Sequence, residues 1–191
     1  MGCFTGDNMK LYLIRHGKTQ ANEQHLYCGS TDIGLSAKGI EELEKKHYIL
    51  PDDCRFITSG MKRTVQTLEI LFGKRDYTAD ERFREIDFGV FEMKSYEQLK
   101  DCREYKEWIS GDNENNIPPH GESGNMVRER VIPAVKEILE SSSDTVIISH
   151  GGVIAIIMEY LFPDEGKNRY QWQPKQGCGY VVENGKYSII E

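Results

Sequence analysis

Side chains suited to phosphoryl transfer stand at the ends of several strand-like segments in this chain. Arg15 and His16 follow the apolar run "LYLI", and His150 follows "VIIS", so two such runs end in His-Gly. Arg63 lies in the first turn of the helix expected after "ITSG", and Glu85 lies in the loop after "YTADERF". A phosphoryl group in transfer spreads negative charge over its equatorial oxygens. Planar guanidinium groups bind such oxygens bidentately, which makes Arg15 and Arg63 natural clamps. A neutral imidazole nitrogen is a competent nucleophile near neutral pH, and a second, protonated histidine can stabilise the transition state from the side. An alkoxide leaves poorly without a proton. A carboxylic acid such as Glu85, its pKa raised by the site, could supply that proton and then deprotonate the water that attacks a phosphohistidine. This chemistry calls for no metal and no cofactor, and neither H-E-x-x-H nor H-x-H spacing occurs. Each residue alone has an ordinary structural reading. The combination at successive strand ends is what points to chemistry.

Those residues can meet only if the strands end side by side. "MKLYLI" predicts a strand, "SAKGIEELEKKHYIL" a helix capped by Ser36, and "CRFITS" a short strand. "SGMKRTVQTLEILFG" predicts a helix with Met61, Val65, Leu68 and Leu71 on one face, Ser59 as N-cap and Gly73 as stop. "YTADERF" is a weak strand followed by a loop. "SYEQLKDCREYKEWISG" opens with Ser95 and Gln98 in capping-box spacing and predicts one helix to Gly111. After the loop "DNENNIPPHGES", a helix capped by Ser123 runs through Pro133, where a kink is expected, to Leu139. "DTVIIS" is a buried strand, "GGVIAIIMEYLF" the helix after it, and "YVVENGKYSII" a hairpin on Asn184-Gly185. "GCGYVV" leads into a strand rather than a helix, so it is no dinucleotide fingerprint. The alternation predicts an α/β fold: a three-layer sandwich with a mostly parallel sheet flanked by helices and one antiparallel hairpin at the C-terminus, in a single domain over residues 1–191. In such sheets ligands sit beyond the carboxyl ends of the strands. His16 and His150 share a crevice if their strands are neighbours.

Composition narrows the partners. The 191 residues are 38% hydrophobic and 29% charged, ordinary for a soluble globular chain. No apolar run reaches the roughly 20 residues that span a bilayer. The leader "MGCFTGDN" lacks an apolar h-region, and Gly6 stands where a myristoylation motif wants Ser or Thr. A cytoplasmic location is the expectation. Cys3, Cys28, Cys54, Cys102 and Cys178 are scattered, never in C-x-x-C spacing, so reduced thiols are expected. The net charge of −7, without a basic tract, argues against nucleic acid and against an anionic membrane. The expected partner is a small-molecule phosphomonoester, held by positive charge gathered locally in a cleft. Nothing in the sequence points to a particular oligomeric state.

Several motifs in order resemble the histidine phosphatase superfamily, in its phosphoglycerate-mutase-like branch. "LIRHGKT" resembles that family's R-H-G-[E/K/Q]-[S/T] signature, with Asn22 at the expected spacing. "YCGSTDIGLSAKGIEEL" is similar to its following segment through Gly29, Asp32, Leu35, Ser36 and Gly39, and "TSGMKRTVQT" to its S-x-x-x-R-[A/T]-x-Q-T helix through Ser59, Arg63, Gln66 and Thr67. "FREIDFGVFE", "PPHGES" and "VIISHGGVI" are similar to three more, so the likeness covers most of residues 10–160.

The resemblance implies roles. His16 would be the phosphohistidine nucleophile, Arg15, Arg63 and His150 the phosphate pocket, and Glu85 the proton donor and acceptor. Asn22, Cys28, Gly29 and the backbone of Gly151 would contact phosphate or substrate, whereas Glu122 and Ser123 would order the loop and the helix start. Mutases of the family carry further residues where this chain has Phe88, Tyr96, "SGDNENNIPP", Gly152 and Cys28, so hydrolysis is the implied reaction. Length and "YCGSTD" resemble the alpha-ribazole phosphatase and broad-specificity phosphatase group. Tyr27, Cys28, Phe88, Tyr96 and His120 are expected to line an apolar leaving-group pocket. A cofactor-dependent phosphoglycerate mutase and a non-catalytic phosphoester-binding module are the alternatives.

Overall fold

A strand sends alternate side chains to opposite faces, and the first strand, β1 (Leu11–Arg15), is apolar on both. Leu11 and Leu13 enter one core cluster, and Tyr12 and Ile14 enter another. A strand buried on both faces belongs inside a sheet covered by helices on each side. That is its place in the computed structural model, which describes residues 9–51, 53–111 and 114–191. The leader "MGCFTGDN", with Gly6 and Cys3, lies outside the described residues.

Six strands form one mixed sheet in the order β3-β2-β4-β1-β5-β6, with β2 Arg55–Thr58, β3 Thr78–Ala79, β4 Thr145–Ser149, β5 Gly179–Glu183 and β6 Lys186–Ile190. β3, β2, β4 and β1 run parallel, and β5 returns antiparallel beside β1. The β5–β6 hairpin turns at Asn184 and Gly185, whose φ values of 51° and 70° suit a tight hairpin turn. The expected α/β sandwich is therefore present, with its antiparallel C-terminal hairpin.

The helices are α1 (Gln20–Glu23), α2 (Ala37–Glu44), α3 (Lys62–Phe72), α4 (Tyr96–Leu99), α5 (Arg103–Ile109), α6 (Gly124–Leu139), α7 (Gly151–Leu161) and α8 (Arg169–Trp172). α6 and α7 pack on the Leu11/Leu13 face, where Val131, Val135, Ile154 and Ile157 are fully buried. α3 covers the opposite face through Leu68 and Leu71. No helix among the described residues is long and apolar enough to cross a membrane.

Three expectations need correction. The helix capped by Ser36 stops at Glu44, and Tyr48 and Leu50 then pack against the second core cluster in a two-residue alternation that suits extended chain. The segment from Ser95 to Gly111 is two helices, although the Ser95–Gln98 capping box is present. Leu99 and Tyr105 both pack beside Phe91, and residues six apart fall about 120° off a common helix face, so a break at 100–102 is needed to bury both. Ser59 does not cap α3. Gly60, at φ 77°, turns the chain, Met61 takes the N-cap position, and the Lys62 N–H donates to the Asp32 carboxylate at 2.8 Å. That leaves the Ser59 hydroxyl for another task.

Candidate active site

β1 and β4 are paired with Arg15 opposite Ser149, and the His16 N–H donates to the Ser149 carbonyl at 2.9 Å. His16 and His150 thus leave adjacent strands at one level, and their rings meet edge to face with centroids 5.1 Å apart. His16 Nδ1 lies 2.7 Å from the Gly17 carbonyl. A carbonyl only accepts, so Nδ1 carries the hydrogen and Nε2 keeps its lone pair. Burial, then the fields of Arg63 and Arg15, holds the His16 pKa well below the ordinary histidine range. The ring is therefore a neutral imidazole with a bare Nε2.

His150 is fixed by a directional chain of hydrogen bonds. The Thr64 hydroxyl donates to the Met61 carbonyl at 2.8 Å, so it accepts from Ser59 Oγ at 3.1 Å. Ser59 has then used its hydrogen and accepts from His150 Nε2 at 2.9 Å. Nδ1 of His150 is left bare and accepts from Arg63 Nε at 3.3 Å. Burial first, then Arg63, His16, Arg15 and Arg130, keeps this imidazole neutral as well. Burial among cations disfavours the protonated form expected of the second histidine, so that form needs a facing anion to stabilise it. Replacing Ser59 with alanine strands the Nε2 hydrogen in a buried site, at about 1–3 kcal/mol. The expected result is a fall in kcat/KM of roughly tenfold with KM less affected, read by steady-state kinetics. An unchanged kcat/KM would show that this chain does not set the ring.

Arg63 is 1% exposed. Its Nη1 donates to the Thr31 carbonyl at 2.9 Å and its Nη2 to the Gly29 carbonyl at 2.7 Å, which leaves one further N–H on each terminal nitrogen for an incoming oxyanion. Arg15 Nη1 donates to the Pro174 carbonyl at 2.8 Å, while its buried Nε has no partner among the described residues. Glycines make room for this cluster. A Cβ at Gly151 would lie 2.9 Å from Arg15 Cζ, and one at Gly152 would lie 2.6 Å from Glu85 Oε1. Glu85 Oε2 accepts from the Gly152 N–H at 3.1 Å, in the first turn of α7, and Oε1 accepts from the Ile86 N–H. Two amide donors thus orient the carboxyl group.

Gly29 takes a different place from the one expected. Its N–H donates to Glu92 at 2.9 Å and its carbonyl is held by Arg63, so it serves the site through Arg63 rather than by touching a phosphate. A Cβ there would lie 1.7 Å from the Ile86 carbonyl oxygen, which no side chain could tolerate. Glu92 also accepts from the N–H groups of Ser30 and Thr31, so one carboxylate shapes the whole 29–31 turn.

His16, Arg63 and His150 are almost wholly buried and are not among the lining residues of the adjoining pocket, which has a volume of about 310 Å³, within the usual size for small-ligand sites. Arg15, Asn22, Cys28 and Glu85 line it, whereas Gly151 is not among the lining residues and packs against Arg15. Asn22 Oδ1 closes the capping box of α1 with Thr19, a cap that does not use its amide NH2. Burial pushes the Cys28 thiol up, so it stays protonated. One wall is aromatic: Tyr27 meets Phe88 at 5.2 Å and Trp108 at 5.7 Å between centroids. Tyr27 and Phe88 line the pocket as expected, but Tyr96 and His120 do not. Tyr96 is 55% exposed and packs on the far side of Tyr105, and His120 sits exposed on a turn at φ 62°. The sequence reading missed Trp108, Arg169, Tyr170 and Gln173, which complete the rim. Trp108 stands on a short helix whose sequence singles out no site residue, and α8 is too short to show a period.

The chain is similar to known proteins in sequence and in fold. The model of the histidine phosphatase superfamily (branch 1) matches residues 11–188. The Adenosylcobalamin/alpha-ribazole phosphatase of Escherichia coli K12 is 27% identical over 95% of this chain and 94% of its own. A Salmonella arizonae protein named Probable phosphoglycerate mutase GpmB is 33% identical over 80% of this chain and 74% of its own. The crystal structure of the alpha-ribazole phosphatase from Shigella flexneri superimposes with a TM-score of 0.80 at 28% identity, covering 95% of this chain and 94% of that one. With one family model spanning both His-Gly strand ends, Arg63 and Glu85, the chain belongs to the histidine phosphatase superfamily.

Proposed function

We propose that this chain is a metal-independent phosphomonoesterase that hydrolyses a small organic phosphate through a phosphohistidine at His16. The observation that carries the reading is the hydrogen-free Nε2 of His16, with Arg63 and Arg15 near enough to act on its ring and the oriented Glu85 carboxyl near enough to act on both arginines. Nε2 attacks phosphorus and the bond to the leaving oxygen breaks, while Glu85 gives that oxygen its proton. The Glu85 carboxylate then takes a proton from water, which attacks the phosphohistidine. The N–P bond breaks, His16 recovers its lone pair, and inorganic phosphate departs. The free N–H groups of Arg63 and Arg15 receive the equatorial oxygens. A dianion beside the imidazoles opposes the field of the arginines: His150 Nδ1 takes a proton from solvent, gives up its bond from Arg63 Nε–H, and donates to the phosphoryl group.

The aromatic wall suits an apolar, planar leaving group, and alpha-ribazole phosphatases are among the relatives. Alpha-ribazole phosphate is the substrate we propose to test first. The experiment is a phosphate-release screen of the full chain over a metabolite panel that includes it, run with and without EDTA. A parallel assay follows conversion of 3- to 2-phosphoglycerate with bisphosphoglycerate priming. Phosphate release unaffected by EDTA is expected. Dominant mutase turnover would replace this reading with the mutase, and binding without turnover would replace it with the phosphoester-binding module.

A further inference from the structure

The loop that carries Glu85 is gripped from behind by one arginine. Arg130 projects from α6, is not among the residues lining the pocket, and has a side chain 22% exposed. Its Nη1 donates to the carbonyls of Arg82 and Arg84, each at 2.7 Å. Its Nη2 donates to the Glu85 carbonyl at 3.2 Å and to Glu122 Oε2 at 2.9 Å, and its Nε donates to Glu122 Oε1 at 3.1 Å. Every N–H of the guanidinium therefore has an acceptor. Glu122 completes the grip, because its Oε2 also accepts the Asp87 N–H at 3.1 Å. The chain is held on both sides of Glu85 by one bidentate ion pair, at residues 82, 84 and 85 by Arg130 and at residue 87 by Glu122.

We propose that Arg130, with Glu122, is a positioning pair that sets the height of Glu85 over the leaving oxygen. It acts through the backbone and touches no substrate. The physical case is the fork. A guanidinium can serve several carbonyls and a carboxylate at once in fixed directions, whereas the single ammonium of lysine cannot. Proton donation needs the carboxyl group within hydrogen-bond reach of the leaving oxygen. A loop relaxed by one ångström loses that reach while leaving His16, Arg15 and Arg63 in place. This inference rests on the reading of Glu85 as the proton donor.

The test exploits leaving-group chemistry. A good leaving group such as p-nitrophenolate departs with little help from an acid, but an alkyl alkoxide does not. We would measure kcat/KM, which reports transfer to His16, for p-nitrophenyl phosphate and for benzyl phosphate in wild type, Glu85→Gln, Arg130→Lys and Glu122→Gln. The ratio of the two values is independent of the folded fraction, so partial unfolding of a variant does not blur it. Glu85→Gln should lose on the order of 100-fold more on benzyl than on p-nitrophenyl phosphate. Arg130→Lys should show the same bias at about tenfold. Glu122→Gln, which keeps an acceptor oxygen, should show a weaker one. Bias in Glu85→Gln with equal losses on both substrates in Arg130→Lys would overturn the positioning role alone. No bias in Glu85→Gln would overturn the proton-donor reading and this inference with it.

Discussion

Replacing His16 with alanine is expected to lower kcat/KM for p-nitrophenyl phosphate by on the order of 10⁵-fold, the scale seen when a covalent nucleophile is removed. The remaining arginines would still bind phosphate, so inorganic phosphate should inhibit wild type and protect the variant from thermal unfolding alike. His16 is buried, but among the described residues its ring hydrogen-bonds only to the backbone of Gly17, so the loss falls on chemistry more than on the fold. Acid-labile, base-stable phosphate trapped on wild type and absent from the variant would locate the phosphoryl group on this nitrogen. Activity of the alanine variant at the wild-type level would sink the covalent mechanism. Trapping that persisted in it would move the nucleophile to His150, whose Nδ1 carries no hydrogen either, although it accepts from Arg63 Nε.

The two histidines were legible as a pair because strand ends are legible. An apolar run closed by His-Gly announces where a strand stops, and the parallel pairing of β1 with β4 turns that echo into adjacency. Their different states were not legible. His16 and His150 carry the same local sequence, His-Gly, and are distinguished by what the fold brings to their nitrogens: the Gly17 carbonyl for one, the Ser59–Thr64 chain for the other. Ser59 read as a helix cap because Ser before an amphipathic run usually is one. The positive φ of Gly60 moved the helix start beyond it and released the hydroxyl. Gly29 read as a phosphate contact for a similar reason. Spacing fixes which residue stands in a turn, but not whether its N–H faces the pocket or Glu92. The pocket wall was half visible, since Tyr27 and Phe88 lie in recognisable segments. Trp108 and Tyr170 come from short helices whose placement depends on long-range packing.

Arg63→Met should produce the second large loss, and it should also reshape the pH profile. Methionine nearly matches the length of arginine without its donors. The Gly29 and Thr31 carbonyls would lose their partner in a site where Arg63 is almost wholly buried, at about 1–3 kcal/mol each. The variant should therefore melt earlier. Losing a guanidinium that meets transition-state charge costs roughly 10³–10⁵ in rate. The pH effect follows from sign. Burial is the largest cause of the depressed pKa of both histidines, and Arg63 is the second. Removing that positive charge lets both values rise toward the ordinary 6.5 of histidine. More of His16 is then protonated, and so unable to attack, at any given acidic pH. The acid limb of kcat/KM should move upward, so the variant loses proportionally more activity than wild type between neutral and mildly acidic pH. Arg63→Lys separates the two effects. It retains the charge and loses the fork, so its rate should fall while its acid limb stays near that of wild type. An acid limb that is identical in all three proteins would show that the field of Arg63 does not keep His16 neutral, and that burial and Arg15 do.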